Sequence, residues 1–281
     1  MVGGRDLGER LRRLYIPLAV FVVLMLFPFY WMLITSIKPN RELYSQKVMP
    51  LLVYQPTLKH YVDLLTETNF LTWTYNTMLV AVVTTVVSVV LGTMIAYPLA
   101  RMRFPGAAVV AIGVAATYLV PQPLLFIPMS DIINRLELGN TLTAVMLTYP
   151  TLLIPFSAWL LMGYFKSVPR ELEEAARIDG ASRFQAMTRI VLPLCTPGLL
   201  SAAIFSFTLA QNEFLYALIF LAKSEVRTVP IGVVTELIRG DVFYWGQLMA
   251  GALLGSVPVA IIYSFFVDYY VAGLTAGSVK T

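Results

Sequence analysis

Six long apolar runs, separated by polar stretches of unequal length, set the plan of the chain. The first covers residues 14–37 and follows Arg5, Arg10, Arg12 and Arg13. At ~1.5 Å per helical residue it spans a hydrocarbon core of about 30 Å. It is too long for a signal-peptide core and has no A-x-A cleavage site, so it predicts an uncleaved first span. A polar segment, residues 38–69, follows, with a short helix expected around 60–66. The second run, 70–99, is long enough to tilt or to project beyond the lipid. After the tight turn ARMRFPG, the third run, 107–129, is interrupted by Pro121, Pro123 and Pro128. Prolines at membrane depth predict a kink or an unwound end lining a cavity. The polar loop 130–140 leads to the fourth run, 141–163. The fifth is 198–222 and the sixth 247–270, with a loop at 223–246 between them. The pattern predicts an all-α membrane protein with six transmembrane helices.

Between the fourth and fifth runs lies a polar island, KSVPRELEEAARIDGASRFQAMTRIVLP, at residues 166–193. Ser167 and Pro169 predict a helix start, since the N–H that proline lacks is unpaired in a first turn anyway. Glu171, Glu173 and Glu174 then sit near the positive end of that helix. Gly180 predicts its stop, because glycine enters the left-handed C′ position without a Cβ penalty. Ser182 and Gln185 form an S-x-x-Q capping box for a second helix, which Pro193 and Pro197 are expected to close. The small Ala175 and Ala176 let another backbone approach the first helix closely. Phe184, Met187 and Val191 recur at helical spacing as an apolar stripe that needs a cover. Either the chain's own spans or a partner can supply it.

Composition agrees with the pattern. Of 281 residues, 58% are hydrophobic and only 13% charged, against about 25% charged in soluble domains. The net charge of +4 is scattered between apolar runs, not clustered with aromatics, so no nucleic-acid partner is expected. With six spans both termini lie on one side. Lys and Arg then divide 12 to 8 in favour of that side, and the four-arginine N-terminus places it in the cytoplasm. The island at 166–193 becomes cytoplasmic by the same count. Cys195 has no disulfide partner in the chain and reads as an inert core thiol. His60, in a loop without Cys or His neighbours, gives no metal site. No G-x-x-x-x-G-K-[ST], H-E-x-x-H or G-x-S-x-G stretch occurs, so no catalytic residue is assigned and any nucleotide belongs to another polypeptide.

Polar residues inside the spans are few. Glu213 is a functional-site candidate by its depth, with a hydrogen bond to a neighbouring helix as the alternative. Gln211, Asn212 and Glu213 are consecutive and spread over most of a helical turn, so they cannot all face one cavity. Asn212 or Gln211 can bond a sugar hydroxyl. So can Gln122, which sits between two prolines. Tyr118 can stack on a sugar ring or simply pack.

The island's spacing carries a resemblance. Glu174, Ala175, Ala176, Gly180, Ile190, Leu192 and Pro193 reproduce the E-A-A-x3-G-x9-I-x-L-P signature of permease subunits of bacterial ATP-binding-cassette (ABC) importers. LARMRFPG, DGAS from Asp179, NEFLYALIF from Asn212 and GLTAGSVK from Gly273 resemble the second permease subunit of maltose-type carbohydrate importers. The resemblance implies the type I ABC importer permease fold, with 166–193 as a cytoplasmic coupling-helix loop docked on an ATPase. It divides the chain into a basic segment, first span and external loop at 1–69, and a permease core at 70–281. It implies a homologous second permease, two ATPase subunits that bind ATP and Mg, and an extracytoplasmic sugar-binding protein, within the lipid of a prokaryotic inner membrane. It also places the tail, with Gly273, Thr275, Gly277 and Lys280, near the ATPase, and points loop 223–246 toward the binding protein. Relatives often carry tryptophan where this chain has Gln211. The expected function is ATP-driven import of a sugar or oligosaccharide by alternating access. The other class in view is an ion-gradient-driven secondary transporter with Glu213 as its proton site.

Overall fold

The structure, a computed structural model, describes residues 11–276, with side chains described from residue 12 to residue 267. After a short π-helical turn, Leu11–Tyr15, the elements are α1 (Ile16–Ile37), α2 (Asn40–Leu43), α3 (Lys59–Glu67) and α4 (Phe70–Arg101). Next come α5 (Ala107–Tyr118), α6 (Gln122–Arg135), α7 (Leu142–Thr148) and α8 (Pro150–Ser167). The island forms α9 (Arg170–Ile178), α10 (Arg183–Ala186), a π segment at Met187–Val191 and α11 (Leu192–Leu194). Then follow α12 (Thr196–Asn212), α13 (Leu215–Phe220), α14 (Val229–Leu237), a hairpin of β1 (Ile238–Arg239) and β2 (Val242–Phe243), and α15 (Trp245–Ala276).

Among the described residues, four stretches are long and apolar enough to cross a membrane: Arg12–Ile37, Phe70–Arg101, Leu142–Ser167 and Trp245–Val267. Counting each of two bent pairs as one span brings the number to six. The α5–α6 pair bends by 95°, and Arg183–Leu194 with Thr196–Asn212 by 78°. The six runs are therefore present, but the third and fifth are broken helices. Three boundaries differ from the hydropathy reading. α6 continues to Arg135 through the segment read as polar loop, and α8 runs on to Ser167. The fifth run stops as a helix at Asn212 and restarts at Leu215. Hydropathy reports what lipid tolerates, whereas these boundaries are set by local geometry: a left-handed Glu137 (φ +55°) after α6, Pro169 after α8, and the Glu213 side chain capping α13.

The described residues divide into two compact units, 11–70 with 233–256, and 71–232 with 257–276. In the first, the α3 side chains Tyr61 and His60 hold the end of α1. The Tyr61 hydroxyl lies 2.8 Å from Ser36 Oγ, and His60 Nε2 lies 2.7 Å from the Lys38 carbonyl oxygen. His60 is thus a buried helical residue, not a loop one. Gly246 lets the chain lie flat on its ring, because a Cβ there would come within 2.4 Å of it. The hairpin pairs Ile238 with Phe243 and turns at Gly240.

The second unit has two apolar centres. One gathers Val80, Tyr149, Leu153, Phe207, Tyr216 and Ile231; the other gathers Tyr97, Leu161, Phe165, Val191, Cys195 and Ala202. Helices cross closely where residues are small, as expected between spans that gain little from hydrophobicity alone. Ser157 on α8 bonds Ser206 on α12 at 3.0 Å, and a Cβ on Gly92 would lie 2.8 Å from Ser157 Cβ.

Candidate functional site

The α5–α6 bend and the break between α12 and α13 meet at a cavity. α5 ends at Tyr118, and Pro121 redirects the chain into α6, whose first residue is Gln122. α12 ends at Asn212, and Glu213 is extended before α13 begins. Between these ends lies a cavity of about 530 Å³ lined by, among others, Tyr118, Gln122, Tyr149, Thr151, Asn212 and Glu213.

Glu213 is the hub of this wall. Its Oε1 accepts from Gln122 Nε2 at 2.8 Å and from the Tyr216 N–H at 2.9 Å. Its Oε2 accepts from the Ala217 N–H at 3.1 Å. One carboxylate therefore satisfies first-turn donors of α13, which have no partner within the helix, and ties that turn to the start of α6. Asn212 is exposed and donates from Nδ2 to the Thr208 carbonyl at 2.9 Å. Gln211 is buried and absent from the cavity wall, so the polar triplet divides between two directions. Tyr118 is half exposed and sits 5.7 Å from the Phe156 ring. The structure brings Tyr118, Gln122, Asn212 and Glu213 together and leaves Gln211 out.

Among the lining residues that went unremarked in the sequence are Tyr149 and Thr151. Their signal was the Tyr149-Pro150 pair inside the fourth apolar run, where α7 gives way to α8.

The polar island forms a helical hairpin. Pro169 stands immediately before α9, one position outside the first turn. Gly180 adopts φ +91°, and Ala181 N–H bonds back to the Ala176 carbonyl at 3.0 Å. Ser182 Oγ accepts from Gln185 N–H at 3.2 Å while Gln185 Oε1 accepts from Ser182 N–H at 2.8 Å, completing the capping box. Pro193 does not close the second helix. The π segment carries into α11, which runs to Leu194, and the direction changes at Cys195. The apolar stripe is split as well. Val191 is buried and Met187 packs beside it in the unit's own core, whereas Phe184 is 69% exposed and Ile178 is 86% exposed.

α9 has no buried residue. Glu174, Ala175, Asp179 and Gly180 are exposed, Ala176 partly so; Ile190 and Leu192 are half-buried and Pro193 is exposed. What fixes α9 to the spans is Glu173. Its Oε1 accepts from the Tyr97 hydroxyl at 2.6 Å, and its Oε2 lies 3.2 Å from Arg101 Nε. Arg101 is buried and also donates from Nη1 to the Val168 carbonyl at 2.8 Å. In the sequence, Arg101 stood out only as an arginine flanking a span. The tail residues Gly277 and Lys280 lie outside the described residues; Gly273 and Thr275 fall in the stretch where only the backbone is described.

Comparison with known proteins adds the family. The sequence profile of the family described as "Binding-protein-dependent transport system inner membrane component" matches residues 88–275. The chain is 38% identical over 268 residues to the inner membrane ABC transporter permease protein YcjP of Escherichia coli, covering 95% of each chain. It is 35% identical over 274 residues to the sulfoquinovosyl glycerol transport system permease protein SmoH of Agrobacterium fabrum, covering 97% of this chain and 94% of that one. It is 34% identical over 270 residues to the trehalose/maltose transport system permease protein MalG of Thermococcus litoralis, covering 95% and 96%. Among solved structures, one chain of a bacterial ABC transporter involved in import of the acidic polysaccharide alginate superposes with a TM-score of 0.79. It is 21% identical and covers 96% of this chain and 100% of its own, which carries the likeness of fold.

Proposed function

The chain belongs to the family of binding-protein-dependent transport system inner membrane components, and from that premise we propose that it is the sugar-conducting half of an ATP-driven importer. It pairs with a homologous permease. Its hairpin at 166–193 engages one of two ATPase subunits, on which ATP and Mg are bound, and the transport core is residues 70–281. An extracytoplasmic binding protein delivers the cargo to the opposite side of the membrane.

The observation that carries this reading is the hairpin itself. A polar helix with no buried residue, tied to α4 through Glu173, is joined by a left-handed glycine to a capped second helix, with Ile178 and Phe184 exposed. Apolar side chains left in water at that density call for a partner surface. The cargo class follows from the relatives, whose names specify sulfoquinovosyl glycerol and trehalose or maltose. The cavity supports it: amide, hydroxyl and carboxylate groups converge beside the aromatic face of Tyr118, the mixture that polyhydroxylated rings bind.

The mechanism is alternating access. Closing of the ATPase pair on ATP displaces both coupling hairpins and opens the shared cavity outward; hydrolysis returns it. A nucleotide drives this only by binding the two arrangements with different affinity.

Copurification from native membranes, identification of the bound subunits, and reconstitution into vesicles test the proposal. Sugar uptake is expected only with ATP inside and binding protein outside, and it persists with a protonophore. Uptake that proceeds without ATP and collapses with the protonophore would refute it.

A further inference from the structure

α4 is a single helix of 32 residues, and the hydrogen bonds that leave it for other elements gather at its two ends. Toward one end, Trp73 Nε1 donates to the Ser224 carbonyl at 2.8 Å. Asn76 Nδ2 donates to the Glu225 and Arg227 carbonyls at 3.0 and 2.9 Å. Thr77 Oγ1 accepts from the Val229 N–H at 2.8 Å. These three side chains grip the whole 224–229 turn, which leads into α14. Asn76 and Thr77 are buried, and Gly232 lies flat on the Trp73 indole, where a Cβ would come within 2.3 Å. Toward the other end, Tyr97 and Arg101 hold Glu173 of α9, as described above.

The middle is different. Among the described residues, no α4 side chain from Met78 to Ala96 makes a hydrogen bond to another element; Thr84 bonds back to its own helix at Val80. The buried Thr85 and Ser88 hydroxyls have no hydrogen-bond partner among the described residues. Contact there is made by small and apolar side chains, the kind of interface along which packed helices slide. Pro98 falls in the last turn, between the two pinned residues, so the length between the pins remains continuous helix. From Trp73 to Arg101 that length is about 42 Å at ~1.5 Å per residue.

We propose that α4 is a tie rod, pinned by Trp73, Asn76 and Thr77 to the 224–229 turn and by Tyr97 and Arg101 to α9, and packed between them without a hydrogen bond to another element. On the reading above, on which this rests, α9 meets the ATPase and the 224–229 turn lies on the side where the binding protein docks. Movement of α9 must then carry the far turn with it. Thermodynamic reciprocity requires that docking on the far side bias α9 by the same amount. Tyr97, Arg101, Trp73, Asn76 and Thr77 are positioning residues; none needs to touch cargo or nucleotide.

The test uses the complete reconstituted complex and reads ATP hydrolysis with and without sugar-loaded binding protein. Arg101→Met and Asn76→Ala, at opposite ends, are each expected to cut the stimulation by about tenfold, a typical size of inter-site coupling. Unstimulated hydrolysis and copurification of the ATPase stay near wild type. The double variant loses no more than the worse single, since a rod cut twice is still one cut rod. Arg101→Lys, which keeps the ion pair, restores most of the stimulation. Should Arg101→Met fail to assemble, Tyr97→Phe removes only a hydroxyl and takes its place, with a several-fold loss expected. Stimulation unchanged in the single variants, or losses that multiply in the double, would overturn the rod. A wild-type complex that hydrolyses no ATP would instead refute the functional reading beneath it.

Discussion

Replacing Glu213 with glutamine distinguishes a structural clamp from a proton site. Glutamine keeps the shape of the side chain. Its one carbonyl oxygen can still accept from Gln122 and from the Tyr216 N–H, the two bonds now made by Oε1. Its NH2 group would then face the Ala217 N–H, donor against donor, where Oε2 now accepts at 3.1 Å. The change removes one charge-assisted bond and strands a donor at the first turn of α13, a loss of about 1.5–3 kcal/mol. Alanine removes all three bonds and the cap together, which raises the loss to about 3–5 kcal/mol. Aspartate, one methylene shorter, keeps the charge and falls below both. At ~2–4 °C per kcal/mol for a chain of this size, thermal unfolding of the purified complex is expected to drop by about 3–12 °C for glutamine and further for alanine. ATP-driven uptake in the glutamine variant should fall in step with the folded fraction and keep the pH profile of the wild type. A glutamine variant as stable as wild type but devoid of uptake, or one whose pH dependence has vanished, would show that the carboxylate acts by exchanging a proton.

Other expectations test the hairpin and the crossings. Gly180, at φ +91° and with open space where a Cβ would sit, is limited by backbone alone. Gly180→Val should cost more than the ~1–2 kcal/mol of the left-handed region for an ordinary L-residue and abolish ATPase copurification, whereas Gly180→Asn retains it. Ile178→Asp or Phe184→Asp, both on exposed side chains, should abolish copurification without moving the thermal midpoint of the isolated chain. Gly198→Ala would push a methyl to 2.4 Å from the Tyr164 ring, an overpacking cost of about 1–3 kcal/mol that Tyr164→Leu should relieve in a thermal melt.

The six apolar runs and the capped glycine hairpin were legible because each rests on local rules. A run of twenty apolar residues, a left-handed glycine and an S-x-x-Q box need no tertiary partner to be recognised. Pro193 shows where such rules stop. The π segment at Met187–Val191 absorbs it, since a wider turn accommodates a residue with no N–H to give, and the helix breaks two residues later than the ring implies. Glu173 and Arg101 could not be paired from the sequence, being separated by two spans; only the fold places the buried guanidinium beneath the hairpin. The same holds for Tyr149 and Thr151, whose place on the cavity wall depends on how α8 crosses α12.

The cavity and the helix breaks have one cause. In a bilayer every backbone group needs a partner, and interrupted helices survive only where side chains, water or protein replace the missing ladder bonds. Pro121 removes an N–H at the α5–α6 bend, and the chain leaves helical geometry at Glu213. Each interruption would be costly against lipid. Here they face one another, and the Glu213 carboxylate supplies acceptors to both the α13 turn and the side chain that opens α6. A polar wall at membrane depth is thus the by-product of stabilising two breaks, and a path for a polar cargo needs such a wall. That coincidence ties the prolines of the third run to the Gln-Asn-Glu triplet of the fifth, although 91 residues separate Gln122 from Glu213.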